Sequence, residues 1–69
     1  MSPNQKLHVM RYEDGWAVIP EKANNVPILT CSKQQKAIKE GRQYAIENKC
    51  ELIIHNRMGQ ICDWISYNK

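Results

Sequence analysis

Five side chains carry atoms that bind metals or act as nucleophiles: His8, His55, Cys31, Cys50 and Cys62. A structural zinc site usually announces itself by paired ligands a few residues apart. No Cys-x2-Cys or His-x3-His pair is present, and the nearest grouping is Cys50 with His55. The expectation is therefore no metal and no cofactor. A Cys–His nucleophile needs a thiolate beside an orienting base in a cleft, and a chain of 69 residues rarely encloses one. Glu13 and Asp14 are neighbours in a predicted turn rather than an acid–base pair facing each other across a site. Gly15, Gly41 and Gly59 stand too far apart to cradle a phosphate. No catalytic residue is expected, and the two histidines read as hydrogen-bonded structural residues of strands.

Recognition of nucleic acid needs cations for phosphates and aromatic rings for bases. The candidates are Lys6, Arg11, Arg57, Tyr67 and Lys69, with Tyr12 and Trp64 nearby. A predicted helix adds Lys33, Lys36, Lys39 and Arg42, diluted by Glu40 and Glu47. Ten Lys and Arg against seven Asp and Glu give a formal charge of +3 with no run of four basic residues. That charge is too dispersed to define a nucleic-acid partner by itself.

The positioning elements must fit a single domain spanning 1–69, whose small core leaves stability marginal. No apolar run approaches the roughly 20 residues of a membrane-spanning helix, so no membrane partner is expected. Three cysteines make an odd count for a disulfide framework, and the first six residues lack the apolar stretch of a secretion signal. Both features fit a reducing cytoplasm.

Residues 7–12 and 16–19 alternate as two strands around Asp14-Gly15, a hairpin signal in which the glycine supplies the positive φ. Pro20 cannot donate to a ladder, so the second strand ends near it or lies at an edge there. Residues 21–25 read as a loop, and residues 26–30, with Pro27, as a short edge strand. Ser32 followed by Gln35 has capping-box spacing and opens a helix over 33–48. Its apolar stripe is Ala37, Ile38, Gly41, Tyr44 and Ala45, and the glycine within it suggests close approach to a sheet. Residues 51–55 and 60–65 form a second hairpin around a turn at 56–59, with Gly59 at positive φ. The tail from Ser66 frays unless Tyr67 packs down. The order is β-β-(β)-α-β-β: an α+β two-layer fold, with one helix on an antiparallel sheet of four or five strands.

Parity sorts the strand residues into two faces. Leu7, Val9, Trp16, Val18, Leu52, Ile54, Ile61 and Ile65 should meet the helix. The other face holds His8, Met10, Tyr12, Ala17, Ile19, Ile53, His55, Cys62 and Trp64. A face left to water should be polar, and this one is not. One helix cannot cover both faces, so the second predicts a partner surface, most economically for a homodimer. His8, Met10, Tyr12, Ile53, His55, Cys62 and Trp64 are its candidate contacts.

Three stretches together resemble a family of small bacterial proteins known as a conserved domain of unknown function. They are His8-Val9 leading to Asp14-Gly15-Trp16-Ala17-Val18, the helix with Ala37-Ile38, and the hairpin from Glu51 to Ile61 followed by Ser66-Tyr67. Met58 departs from the acidic residue common before the turn glycine, and no glycine follows Tyr67. The resemblance implies a compact α+β domain and carries no activity to transfer. The functional expectation is a non-enzymatic binding or regulatory module that self-associates and acts through protein contacts. The alternative is a weak nucleic-acid binder.

Overall fold

The computed structural model describes residues 5–22 and 26–67. Its elements are β1 (Lys6–Tyr12), β2 (Gly15–Pro20), β3 (Leu29–Cys31), α1 (Gln34–Asn48), β4 (Glu51–His55) and β5 (Ile61–Ser66). The strands form one sheet in the order β3-β2-β1-β4-β5, and α1 packs against β1, β2, β3 and β4. This is the expected α+β architecture. The sheet is mixed, because β1 and β4 run parallel, with Leu7 beside Leu52 and Val9 beside Ile54. Both hairpins are antiparallel, but α1 is a crossover that carries the chain back along the sheet, so β4 starts at the same end as β1.

In the first hairpin Tyr12 pairs with Gly15, leaving Glu13 and Asp14 as the turn. The positive φ falls on Glu13, at 52°, and not on Gly15. Gly15 is required for another reason: a Cβ there would collide with the Cys31 carbonyl oxygen of β3. The prolines behave as their missing N–H dictates. Pro20 closes β2 beyond the reach of β3, which pairs only along Trp16 to Val18. β3 is shorter than the expected 26–30 and begins past Pro27. Of the predicted loop at 21–25, residues 23–25 lie outside the described residues.

The helix starts at Gln34, one residue later than expected, with an extended Lys33 as its cap and no side-chain cap bond. That shift takes Ser32 out of capping position, so the Ser32–Gln35 box does not form. Ala37, Gly41 and Ala45 are buried on the sheet side. A Cβ on Gly41 would lie 3.2 Å from Leu52 Cδ1 and Val18 Cγ2 and 3.3 Å from Val9 Cγ2, the predicted close approach. At the other end Lys49 takes the left-handed conformation (φ 54°, ψ 49°) and the Cys50 N–H reaches the Ala45 carbonyl at 2.8 Å. This is a Schellman ending, with Lys49 where glycine is usual.

Leu7, Val9, Trp16, Val18, Leu52 and Ile54 join Ala37, Ala45 and Cys50 in the core beneath the helix. Ile65 and Tyr67 pack at its margin, and the Tyr67 N–H donates to the Cys50 carbonyl at 3.0 Å. Ile61 departs from its expected place. β5 carries a bulge, so that Asp63 pairs with Ile54 but Ile61 pairs with His55, and Cys62 is the extra residue. The inserted residue reverses parity, and Ile61 moves from the helix face to the opposite one. No helix among the described residues is long and apolar enough to cross a membrane.

Candidate functional site

The face away from α1 is organised by the strand register. One row across it reads Ile19, His8, Ile53, Trp64. Met10 and Ala17 form a pair in the next row, and His55 and Ile61 another. Ala17, Ile19 and Ile53 are buried, so the centre of this face is already out of water within one chain. His8, Met10 and Tyr12 are half-buried, and His55 is buried. What stays exposed lies to one side, on β5 and the turn before it. Trp64 is 51% exposed, Ile61 52% and Met58 81%. The need for a cover is therefore narrower than the parity of the strands implies.

His8 and His55, 47 residues apart in sequence, meet across the parallel β1–β4 join. His8 Nδ1 lies 2.9 Å from His55 Nε2. The outer nitrogens are also engaged: His8 Nε2 is 3.1 Å from Glu21 Oε1, and His55 Nδ1 is 3.1 Å from the Gly59 carbonyl oxygen. Local structure aims both ends. The Glu21 N–H donates to the Lys6 carbonyl at 2.9 Å, extending the β1–β2 ladder past Pro20 and placing Glu21 beside His8. In the β4–β5 turn the Asn56 side chain accepts from the N–H groups of Met58 (2.9 Å) and Gln60 (3.0 Å), which holds the Gly59 carbonyl toward His55. Gly59 has the expected positive φ, 86°. Sequence reasoning named both histidines but missed Glu21 and Gly59. The Asn-x-x-Gly spacing of the turn was the available signal for Gly59.

The Trp64 indole is held as well as exposed. Its Nε1 donates to Glu51 Oε1 at 2.7 Å, along the same face. β5 is the outer strand of the sheet, and apart from Ile65 its side chains are exposed. Cys62, in the bulge, is exposed. Trp64 and Ile61 thus stand exposed on an edge strand, with Met58 exposed in the turn before it. That edge is partly guarded by the bulge at Cys62 and by Asp63, whose carboxylate accepts the Trp64 N–H at 2.9 Å.

The remaining candidates are dispersed. Lys6 begins β1 at the end of the sheet where Tyr67 packs on the core. Arg11 and Arg57 lie at the opposite end, and the Arg11 guanidinium sits 5.8 Å from the Trp16 ring centre. Lys69 lies outside the described residues. The described nucleic-acid candidates are therefore divided between the two ends of the sheet. Among the described residues no three His, Cys, Asp or Glu side chains gather as a metal site. Cys50 is buried, and desolvation pushes its thiol pKa up, so it stays protonated at neutral pH. Cys31 is half-buried against the core. An open hollow of about 250 Å³ lies between the first turn and β3, lined by Tyr12, Glu13, Asp14, Gly15, Thr30, Cys31 and Ser32.

Against known proteins, a family profile described as "Uncharacterized protein conserved in bacteria (DUF2188)" matches residues 7–67. No curated protein and no solved structure matches.

Proposed function

Since the chain belongs to this family of uncharacterised bacterial proteins, we propose that it is a non-enzymatic binding module that self-associates through the β5 edge. The observation that carries this reading is the exposure of Trp64 and Ile61 on an outer strand, with Met58 exposed in the turn that leads into it. A strand edge offers N–H and C=O groups to another strand, and on β5 the exposed Asp63 carboxylate that holds the Trp64 N–H at 2.9 Å would have to give way to the incoming strand. A second copy is the simplest occupant, because a two-fold axis sets β5 antiparallel to itself and joins two sheets into one. Centred on Trp64, that pairing puts Trp64 opposite Trp64 and Asp63 opposite Ile65, with no like charges face to face. The Glu51 bond supports an anchoring role, because an indole already held in one position loses less freedom on binding.

The same surface suits regulation through a protein partner that adds a strand. Weak nucleic-acid binding ranks lower, because the cations are divided between the two ends of the sheet. Amide hydrogen exchange at low and high protein concentration tests the reading. Protection of β5 amides that rises with concentration supports it. β5 exchange independent of concentration contradicts it.

A further inference from the structure

The donors and acceptors around His8 and His55 can be counted. The Gly59 carbonyl only accepts, so His55 Nδ1 carries a proton. An ionised Glu21 also only accepts, so His8 Nε2 carries one. The inner contact between His8 Nδ1 and His55 Nε2, at 2.9 Å, needs one proton shared between two nitrogens. The chain of bonds is complete with three ring protons. Two neutral imidazoles supply two. We infer that His8 and His55 form a single proton-binding site that holds one excess proton, balanced by Glu21, and that this proton clasps β1 to the β4–β5 hairpin.

The two other protonation states each break a different bond. Loss of the excess proton leaves two protons for three bonds, and the one most readily surrendered is the His8–Glu21 contact, because Glu21 is half exposed and water can replace it. Gain of a fourth proton puts two N–H groups head to head across the inner contact. His55 is buried, so its ring cannot simply turn to solvent, and the join between β1 and β4 must loosen. Alkali therefore frees a surface contact, whereas acid opens the sheet beside the turn that carries Met58. The electrostatic surroundings are sparse. Among the described residues, Lys6 and Tyr12 on β1 and Glu51 on β4 share this face with the pair. β2 contributes Ala17 and Ile19, and β5 contributes Ile61 and Trp64, with the Cys62 thiol in the bulge. Among the described residues, Glu21 is the carboxylate hydrogen-bonded to the pair.

The inference is independent of self-association, and its test reads either oligomeric state. Nitrogen-15 NMR of the ring nitrogens is followed against pH in the wild type and in Glu21→Gln, a substitution at an exposed position. The inference predicts a pH interval in which three of the four ring nitrogens are protonated, including both outer ones. Each proton step is then sensed by both rings together, as coupled sites require. In Glu21→Gln the upper step moves to lower pH at both rings, although Glu21 touches only His8. Below the lower step, amide exchange at Gly59 and Gln60 accelerates. Passage from four protons to two with no three-proton interval overturns the inference. So does a Glu21→Gln effect confined to His8, and so does turn exchange that ignores the lower step.

Discussion

Trp64 Nε1 donates to Glu51 Oε1 at 2.7 Å while half of the Trp64 surface remains in water. A large apolar ring is thus kept in one orientation on the face away from the helix, at an unpaired sheet edge. Tryptophan held this way contributes little to the core beneath α1, from which it is absent. It is the side chain on which the proposed self-association rests.

Trp64→Ser should accordingly cost the monomer less than about 1.5 kcal/mol, as changes at exposed positions usually do. Circular dichroism with thermal unfolding at low concentration measures this. A collapse of folding would place Trp64 in the core instead.

Gly15→Ala should destabilise by about 1–3 kcal/mol or more, because the new methyl meets backbone rather than a flexible side chain. Glu13→Gly in the same turn should stabilise by about 0.5–1 kcal/mol, since φ is 52° there and glycine pays no steric penalty. Urea unfolding of both variants checks the pair. The reverse pattern would return the positive φ to Gly15.

Lys49→Gly should stabilise by a similar amount, about 0.5–1 kcal/mol, because the left-handed ending of α1 favours glycine. Urea unfolding is again the measurement. A loss of stability would mean that the Lys49 side chain supports the helix end in a way its backbone conformation does not reveal.

Cys50 predicts an alkaline slope. Burial raises its thiol pKa in the fold above the ordinary 9.0, so the unfolded chain loses that proton first. Stability from this group is complete below pH 9.0 and is lost as pH rises above it, by at most about 1.4 kcal/mol per pH unit. Cys50→Ala should remove that slope. In thiol labelling of the native protein, Cys62 should react first and Cys50 only on unfolding.

The parts of this molecule that were legible in the sequence are those governed by local periodicity. Leu7, Val9, Trp16, Val18, Leu52 and Ile54 follow the two-residue period of their strands, and all lie in the core. Ala37, Gly41 and Ala45 follow the helical period and are buried. Ile61 was misplaced because one extra residue, Cys62, reverses the parity beyond it, and no residue type marks a bulge reliably. Glu13 was missed because Gly15, two residues on, offered a more economical home for the positive φ. The His8–His55 contact could not be seen at all. It depends on the parallel pairing of β1 with β4, which a helical crossover creates between residues 47 positions apart.

Sedimentation equilibrium of the wild type beside Trp64→Ser tests the central claim most directly. The wild type should fit a monomer–dimer equilibrium, with the dimer dominant at high micromolar concentration. Trp64→Ser should remain folded and dissociate at least about tenfold more readily, a loss of about 1.4 kcal/mol. A wild type that stays monomeric throughout, or a variant that dimerises equally well, would contradict association through the β5 edge.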